Sequence, residues 1–349
     1  MKNWKIILLV LFIVNFNTSG KSQNEITTFA HGKNTVASVH FLPDGKRLVS
    51  TSFDGTMILW DIPSGKKLWQ VSPGNPKNDK NTIISHIFTG VTSPDGNHFA
   101  VSYDQSKIID GWLAGKPEYC IGLFNLSDGS VQKQFVPLPE RSLGLNFSPD
   151  GRLLAACGAE KKIRLWNVST GQQIKEIDLP QGAYSIAFSP NSQYIAVGLG
   201  EPETLSNLKI ESYEPVLIFQ VQTGKKVVGL PIKSHYVVNV AFSSDGLLVA
   251  LGQMPTTLTF WNPKTGELVK QYKNLEIDAD NIFISSKERL LLLAENRERH
   301  GRVLAWDMQT NTKIRSFSWR EPSSAIALSA DGRLLAVGFE SGKIRLLRL

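Results

Sequence analysis

Six histidines, two cysteines and a scatter of carboxylates are the side chains in this chain that could perform chemistry, and their spacing decides how much. His31, His40, His86, His98, His235 and His300 form no HxH or HxxxH pair, so no local segment offers zinc two imidazoles on one face. Asp278 and Asp280 resemble a fragment of a calcium loop, but the glycine and the later glutamate that complete one are missing. Neither a GxSxG nucleophile elbow, a phosphate-binding glycine loop nor a GxGxxG turn occurs after residue 22. The motifs therefore assign no catalytic residue, no metal ligand and no cofactor. Cys120 and Cys157 allow at most one disulfide, and their positions in apolar strand-like segments favour two buried thiols.

The elements that would position any site are legible from a recurring turn. LPDG at 42–45, SPDG at 93–96 and 148–151, SPNS at 189–192, SSDG at 243–246, SSKE at 285–288 and SADG at 329–332 each follow one short apolar-alternating segment and precede another. That is strand, tight turn, strand, with Asp-Gly supplying the positive φ that the turn requires. Gly45 to Trp60, Gly151 to Trp166, Gly246 to Trp261 and Gly332 to Leu347 are each 15 residues apart. Five residues past the repeat aromatic comes a second turn, at Gly65, Gly129, Gly171, Gly224, Gly266 and Asn311. Each unit thus holds four strands, a to d. Seven such units predict an all-β, seven-bladed β-propeller with four-stranded antiparallel blades. The last unit stops two residues past its third strand, while Asn24–Ala30 has no hairpin partner. This N-terminal segment is expected to close the last blade as its strand d.

Trp60-Asp61 and Trp306-Asp307 carry a Trp-Asp dipeptide at the end of strand c, and the chain resembles the WD-repeat propellers over residues 23–349. The resemblance implies a hydrogen-bonded network in the first blade of His31, Ser52, Asp54 and Trp60. Glu160, Pro255 and Ser341 replace Asp54 at the matching offset in other blades. It also implies docking or assembly, and no chemistry.

Where repeats depart from one another, function is expected. Segments 72–85, 103–119, 200–215 and 295–302 exceed the repeat length, and all fall in d–a or b–c connections, which emerge on one face of the ring. Loops on one side of a rigid scaffold commonly carry binding. Trp112 is the one tryptophan outside a repeat strand, with Ile108, Leu113 and Tyr119 nearby, and these are the candidate anchors together with Tyr213 and Arg299 of two other inserts. A propeller enzyme (hydrolase, lactonase or lyase) or a small-ligand or metal binder would instead use the channel mouth, where Glu140, Arg141, His235, Asp278, Asp280, Arg320 and Glu321 fall.

Residues 1–22 read as a secretory signal: Lys2 and Lys5, then the apolar run Ile6–Val14, then small residues, with cleavage after Gly20 or Ser22. The run is short of the ~20 residues that span a bilayer. The expectation is an exported protein of periplasm or extracellular space, with no integral membrane segment after cleavage, monomeric, and bound to a protein partner. Removing Lys2, Lys5 and, depending on the cleavage site, Lys21 lowers the net charge from +7 to +5 or +4, dispersed along the chain, which argues against nucleic acid.

Overall fold

The computed structural model describes residues 25–349 except 74–81, 110–111, 136–137, 201–212, 255, 273–274, 276, 278, 285–289, 298–299 and 311. The leader lies outside the described residues.

Seven four-stranded antiparallel sheets form the blades of a propeller. Strands a to d are Val36–Phe41, Arg47–Ser52, Met57–Asp61 and Lys66–Val71 in blade 1. In blade 2 they are Thr82–Thr92, His98–Ile109, Trp112–Asn125 and Val131–Gln134. Blade 3 has Ser142–Phe147, Leu153–Gly158, Lys162–Asn167 and Gln173–Asp178. Blade 4 has Ala183–Phe188, Tyr194–Leu199, Val216–Gln220 and Lys226–Leu230. Blade 5 has Tyr236–Phe242, Leu248–Gln253, Thr257–Trp261 and Leu268–Tyr272. Blade 6 has Asn281–Ile284, Leu290–Arg297, His300–Asp307 and Thr312–Trp319. Blade 7 has Ser323–Leu328, Leu334–Phe339 and Lys343–Arg348, completed by Glu25–Ala30 as strand d. Ala30 pairs with Lys343 and Phe29 with Ile344, so the expected clasp is the observed ring closure.

The turn signature has a physical cause. In SPDG and SADG turns the serine hydroxyl donates to the Asp carboxylate (Ser148 Oγ to Asp150 Oδ1, 2.5 Å; Ser329 Oγ to Asp331 Oδ1, 2.6 Å). The same serine oxygen accepts the first amide of strand b, from Leu153 or Leu334, at 2.9 Å. The following glycine sits at φ 71° or 73°, a region that glycine enters without a Cβ clash. Between the a and c strands, strand b is covered on both faces. Leu154 to Gly158 and Leu335 to Phe339 are fully buried, which is why those segments read as continuous apolar runs.

At the rim a second periodic device joins blades. Four residues past four of the five c–d turn glycines, a strand d donor reaches a carbonyl of the next blade: Trp69 Nε1 to Leu126 (3.1 Å), Lys133 Nζ to Val168 (2.7 Å), Lys175 Nζ to Gln222 (2.9 Å) and Lys270 Nζ to Met308 (3.4 Å), while Val228 takes that place after Gly224. Arg315 Nη1 makes the corresponding contact to Arg348 at 3.3 Å. Nearer the axis, Ser324 Oγ donates to Val36 O (2.7 Å) and Ser185 Oγ accepts from Val240 N (3.0 Å), across two further blade boundaries.

Candidate functional site

The d–a and b–c connections share one face, and there blade 2 rises above the ring. The described residues of its inserts continue the ladder. Strand a pairs with b out to Thr82–Lys107, and b with c out to Ile109–Trp112, so the blade grows into a three-stranded extension. Trp112 is therefore the first residue of a strand, opposite Ile109, and Ile108 pairs with Leu113. The expectation of a loop at Trp112 is corrected on this point, because alternation across a ladder absorbed the extra residues as regular pairing. The blade 6 insert does the same, with b and c paired to Arg297–His300. Arg299 lies outside the described residues.

Tyr119 is half-buried opposite Asp104, and its ring lies 6.1 Å from Phe88. Phe88 stacks near His86 (6.4 Å), and His86 meets Phe53 of blade 1 edge-on (6.2 Å). Beneath them the buried Asp104 accepts the His86 amide at 2.7 Å and faces its Nδ1 at 3.4 Å. Tyr213 departs from its expected role as a free anchor. Its hydroxyl donates to Gly200 O at 3.1 Å and receives the Gln181 amide, so the phenol is tied inward, and burial pushes its pKa up.

Around the axis, strand a of each blade lines a channel of about 540 Å³. Its lining includes Ser38, Thr89, Asn146, Ser185, Asn239, Asn281 and Ser324, with no Asp, Glu, Lys or Arg. His40, which also lines it, is held neutral by burial, which pushes it down to about 4. Five residues before each a–b turn stands the mouth position of strand a: Ala37, Phe88, Leu143, Tyr184, Val238, Asp280 and Ser324. Glu140, Arg141, His235, Arg320 and Glu321 occupy the surrounding connections, not the channel wall. Asp278 is outside the described residues. Among the described residues no three His, Cys, Asp or Glu side chains gather as metal ligands. Cys120 and Cys157 are both buried free thiols, and burial drives Cys157 up to about 12.

The exposed apolar side chains were not found from sequence. Among the described residues eight of the eleven large ones lie on the outermost strands; the other three, Phe53 (45% exposed), Tyr184 (43%) and Met254 (60%), all lie on the insert face. Two of them, Phe53 and Met254, sit eight residues past Gly45 and Gly246, a spacing that repeat alignment could have picked out.

Blade 1 contains a buried polar chain. Trp60 Nε1 donates to Ser50 Oγ (2.8 Å), which meets His31 Nδ1 (2.7 Å), and His31 Nε2 meets Thr56 Oγ1 (2.8 Å). Thr56 donates to Asp54 Oδ1 at 2.6 Å. Because the Thr56 proton is spent on Asp54, His31 must donate from Nε2 and accept at Nδ1, which makes Ser50 the donor there. Burial pushes His31 down to about 4 against the attraction of Asp54, so the ring is neutral, as this chain requires. The hydroxyl between histidine and tryptophan belongs to Ser50, whereas Ser52 accepts the Asp54 amide at 3.2 Å and stays outside the chain. The assignment of Ser52 is corrected by two positions, one full pleat along strand b.

Residues 23–61 and 141–167 match the WD domain, G-beta repeat family, and residues 203–345 match the family described as eukaryotic translation initiation factor eIF2A. The chain is a WD-repeat β-propeller. It is 26% identical to Protein HIR1 of Kluyveromyces lactis over 44% of this chain and 19% of that protein. To telomerase protein component 1 of Rattus norvegicus it is 24% identical over 89% of this chain and 10% of that one. To small ribosomal subunit protein RACK1 of Candida albicans it is 23% identical over 72% and 86%. The chain thus spans a fifth or less of the first two relatives' own length. Within this WD-repeat ring the full polar chain exists in blade 1. In blades 3 and 5 the tryptophan Nε1 atoms of Trp166 and Trp261 are buried without a hydrogen-bond partner.

Proposed function

We propose that the chain is an exported, non-catalytic scaffold that docks a protein partner on its insert face. The observation that carries this reading is the placement of Phe53, Tyr184 and Met254, three large exposed apolar groups on one face and outside the rim strands. Isolated apolar residues are common on surfaces, but aromatic and methionine side chains on the elaborated face of a rigid ring are what a docking site needs. The channel wall, with Leu143, Tyr184 and Val238 towards its mouth and no Asp, Glu, Lys or Arg along it, favours docking over general acid–base chemistry, which requires titratable groups converging on one point. Two of the WD-repeat relatives bear names that describe a part of a larger assembly, a telomerase protein component and a small ribosomal subunit protein.

The test is affinity capture from the envelope and secreted fractions with the full-length chain, beside a Phe53→Ala, Tyr184→Ala, Met254→Ala triple variant. A stoichiometric protein retained by the parent and lost by the folded variant is the expected result. Equal capture by both removes the insert face from consideration. Export is checked on the same preparation: the purified chain should begin at residue 21 or 23, and recovery of intact Met1 from the cytosol overturns it.

A further inference from the structure

The a–b and c–d turns form the face opposite the inserts, and there a groove of about 410 Å³ lies between blades 4 and 5. Grooves of the same construction open between blades 2 and 3 and between blades 6 and 7, each running from the first residue of a strand b to the turns of the next blade. In those two the strand b residue is His98 or Leu290, and the rim donors Lys133 and Arg315 stand in the lining. The blade 4 groove has no such donor, since Val228 holds that place, and its strand b residue is Tyr194, half-buried against the core of blades 4 and 5. Its turns differ as well. Asn191 stands where five other a–b turns carry Asp44, Asp95, Asp150, Asp245 and Asp331. Its Oδ1 accepts the Ser189 hydroxyl (2.7 Å) and the Gln193 amide (3.1 Å), which leaves both hydrogens of Nδ2 unspent. Asn262 repeats the arrangement in blade 5, where its Oδ1 accepts the Lys264 and Thr265 amides at 3.0 and 3.3 Å. The Tyr194 hydroxyl and the Lys264 ammonium have no hydrogen-bond partner among the described residues, and Asp245 holds Ser243 with Oδ1 while its Oδ2 stays open.

We propose that the groove between blades 4 and 5 binds a neutral saccharide. Every sugar hydroxyl both donates and accepts, and the groove offers both roles: two carboxamide NH2 groups and an ammonium to donate, a carboxylate oxygen to accept, and a phenol for either. The carbon–hydrogen face of a pyranose ring finds its apolar counterpart in Tyr194, Pro190 and Leu247. The volume is that of a small-ligand site, with apolar walls and a few placed polar groups. Other ligand classes fit less well. The lining holds one ammonium, Lys264, and one carboxylate, Asp245, so it has no excess charge for a phosphate or sulfate. An extended peptide needs open main-chain groups, and the turn amides of Ser192, Gly246, Leu247 and Lys264 are already bonded within the protein. The groove lies on the face away from the inserts, so it leaves the docking surface free.

The experiment screens the full-length protein against immobilised neutral oligosaccharides of hexoses and N-acetylhexosamines, with uronate and sulfated oligosaccharides beside them. Bound sugars are then titrated against the parent, an Asn191→Asp, Asn262→Asp double variant and a Tyr194→Leu variant. Both variants use residues that the chain itself places at those positions: Asp in the turns of other blades, and Leu at Leu153, Leu248 and Leu334. Turn bonds and core contact therefore persist, and an unchanged melting temperature verifies the fold. A neutral oligosaccharide is expected to bind the parent and to weaken by about tenfold or more on each variant. It should bind the Phe53→Ala, Tyr184→Ala, Met254→Ala variant as well as it binds the parent. Capture of no neutral sugar, a preference for the acidic ones, or equal binding by both groove variants overturns the proposal and leaves the docking-face reading standing. Loss of sugar binding on the triple variant alone moves the site to the insert face and overturns it equally.

Discussion

Trp60 of blade 1 and Trp166 of blade 3 occupy the same place in their repeats. Each pairs with a leucine of strand b, Leu48 or Leu154, and each is covered by a phenylalanine at 5.0 or 5.3 Å, Phe29 or Phe135. Both indoles are buried. Their nitrogens differ. Trp60 Nε1 has Ser50 and, through it, His31, Thr56 and Asp54, whereas at the Ser50 position blade 3 has Ala156 and the Trp166 nitrogen has no partner. Blade 3 places its polar investment elsewhere, in a bidentate pair of Arg164 and Glu160 (2.9 and 3.0 Å) extended to Glu176 at 2.6 Å.

The difference follows the chain path. Phe135 reaches Trp166 across about thirty residues, while Phe29 and His31 sit beside blade 7, whose third strand arrives some three hundred residues later. Closing a loop tenfold longer costs about 2 kcal/mol more in chain entropy. Blade 1 is the seam of the ring, and the His31 amide binds Gly342 O there at 2.9 Å. A directional chain of hydrogen bonds specifies that seam more sharply than packing alone, whereas blade 3 is held in register by its own connectivity.

The largest test removes the seam. Deleting residues 25–31 takes away the clasp, Phe29 and His31 together, and should abolish the cooperative melting transition or lower it by more than any point substitution. An unchanged transition would show that the ring does not depend on closure. Next, Trp60→Ala and Trp166→Ala should each cost ~3–5 kcal/mol by denaturant unfolding. The blade 1 variant should be the worse, since it also leaves Ser50 with an unused hydrogen-bond position; the reverse order would break the comparison.

Acid should act on the seam too. His31 and His40 are near 4 when folded and 6.5 as model values, so the unfolded chain binds protons that the folded one refuses. Stability is then full above about pH 6.5 and declines as pH falls toward 4, by up to about 1.4 kcal/mol per pH unit for each histidine. In His31→Gln the slope between pH 6.5 and 5 should fall by about half, and a slope equal to the parent's would remove His31 from the account. Smaller still is the contrast between Trp60→Phe, which strands Ser50 and should cost ~1–3 kcal/mol beyond the lost ring area, and Trp166→Phe, which strands nothing. Similar costs would mean that the blade 1 chain contributes little. The smallest effect is a gain: Ala156→Ser should give Trp166 an acceptor and stabilise by up to ~1 kcal/mol, provided the buried site admits one oxygen. A loss would show that packing in blade 3 leaves no room for it.

Much of the fold was legible because its signals are local. Asp-Gly and Asn turns, the fifteen-residue spacing to the strand c aromatic and the unpaired first strand each depend on neighbours in sequence. The candidate site was less so. The spacing marked Trp112 as an insert residue, yet whether the added residues coil or extend a ladder is decided by pairing between separate strands. Tyr213 read as a free aromatic because Gln181, which binds it, comes thirty-two residues earlier in the preceding blade's connection. Ser52 and Ser50 look alike in a strand of the form RLVSTS and point to the same face, and only the place of His31 and Trp60 along that strand separates them.

By itself, then, the sequence determined the number of blades and the place of the clasp, because each is a matter of period and length. The tertiary structure decided which serine joins the Trp60 chain and which indole stays without a partner. Those outcomes depend on side chains from separate strands meeting within about 3 Å, a distance that hydrogen bonds demand and that spacing along the sequence does not encode.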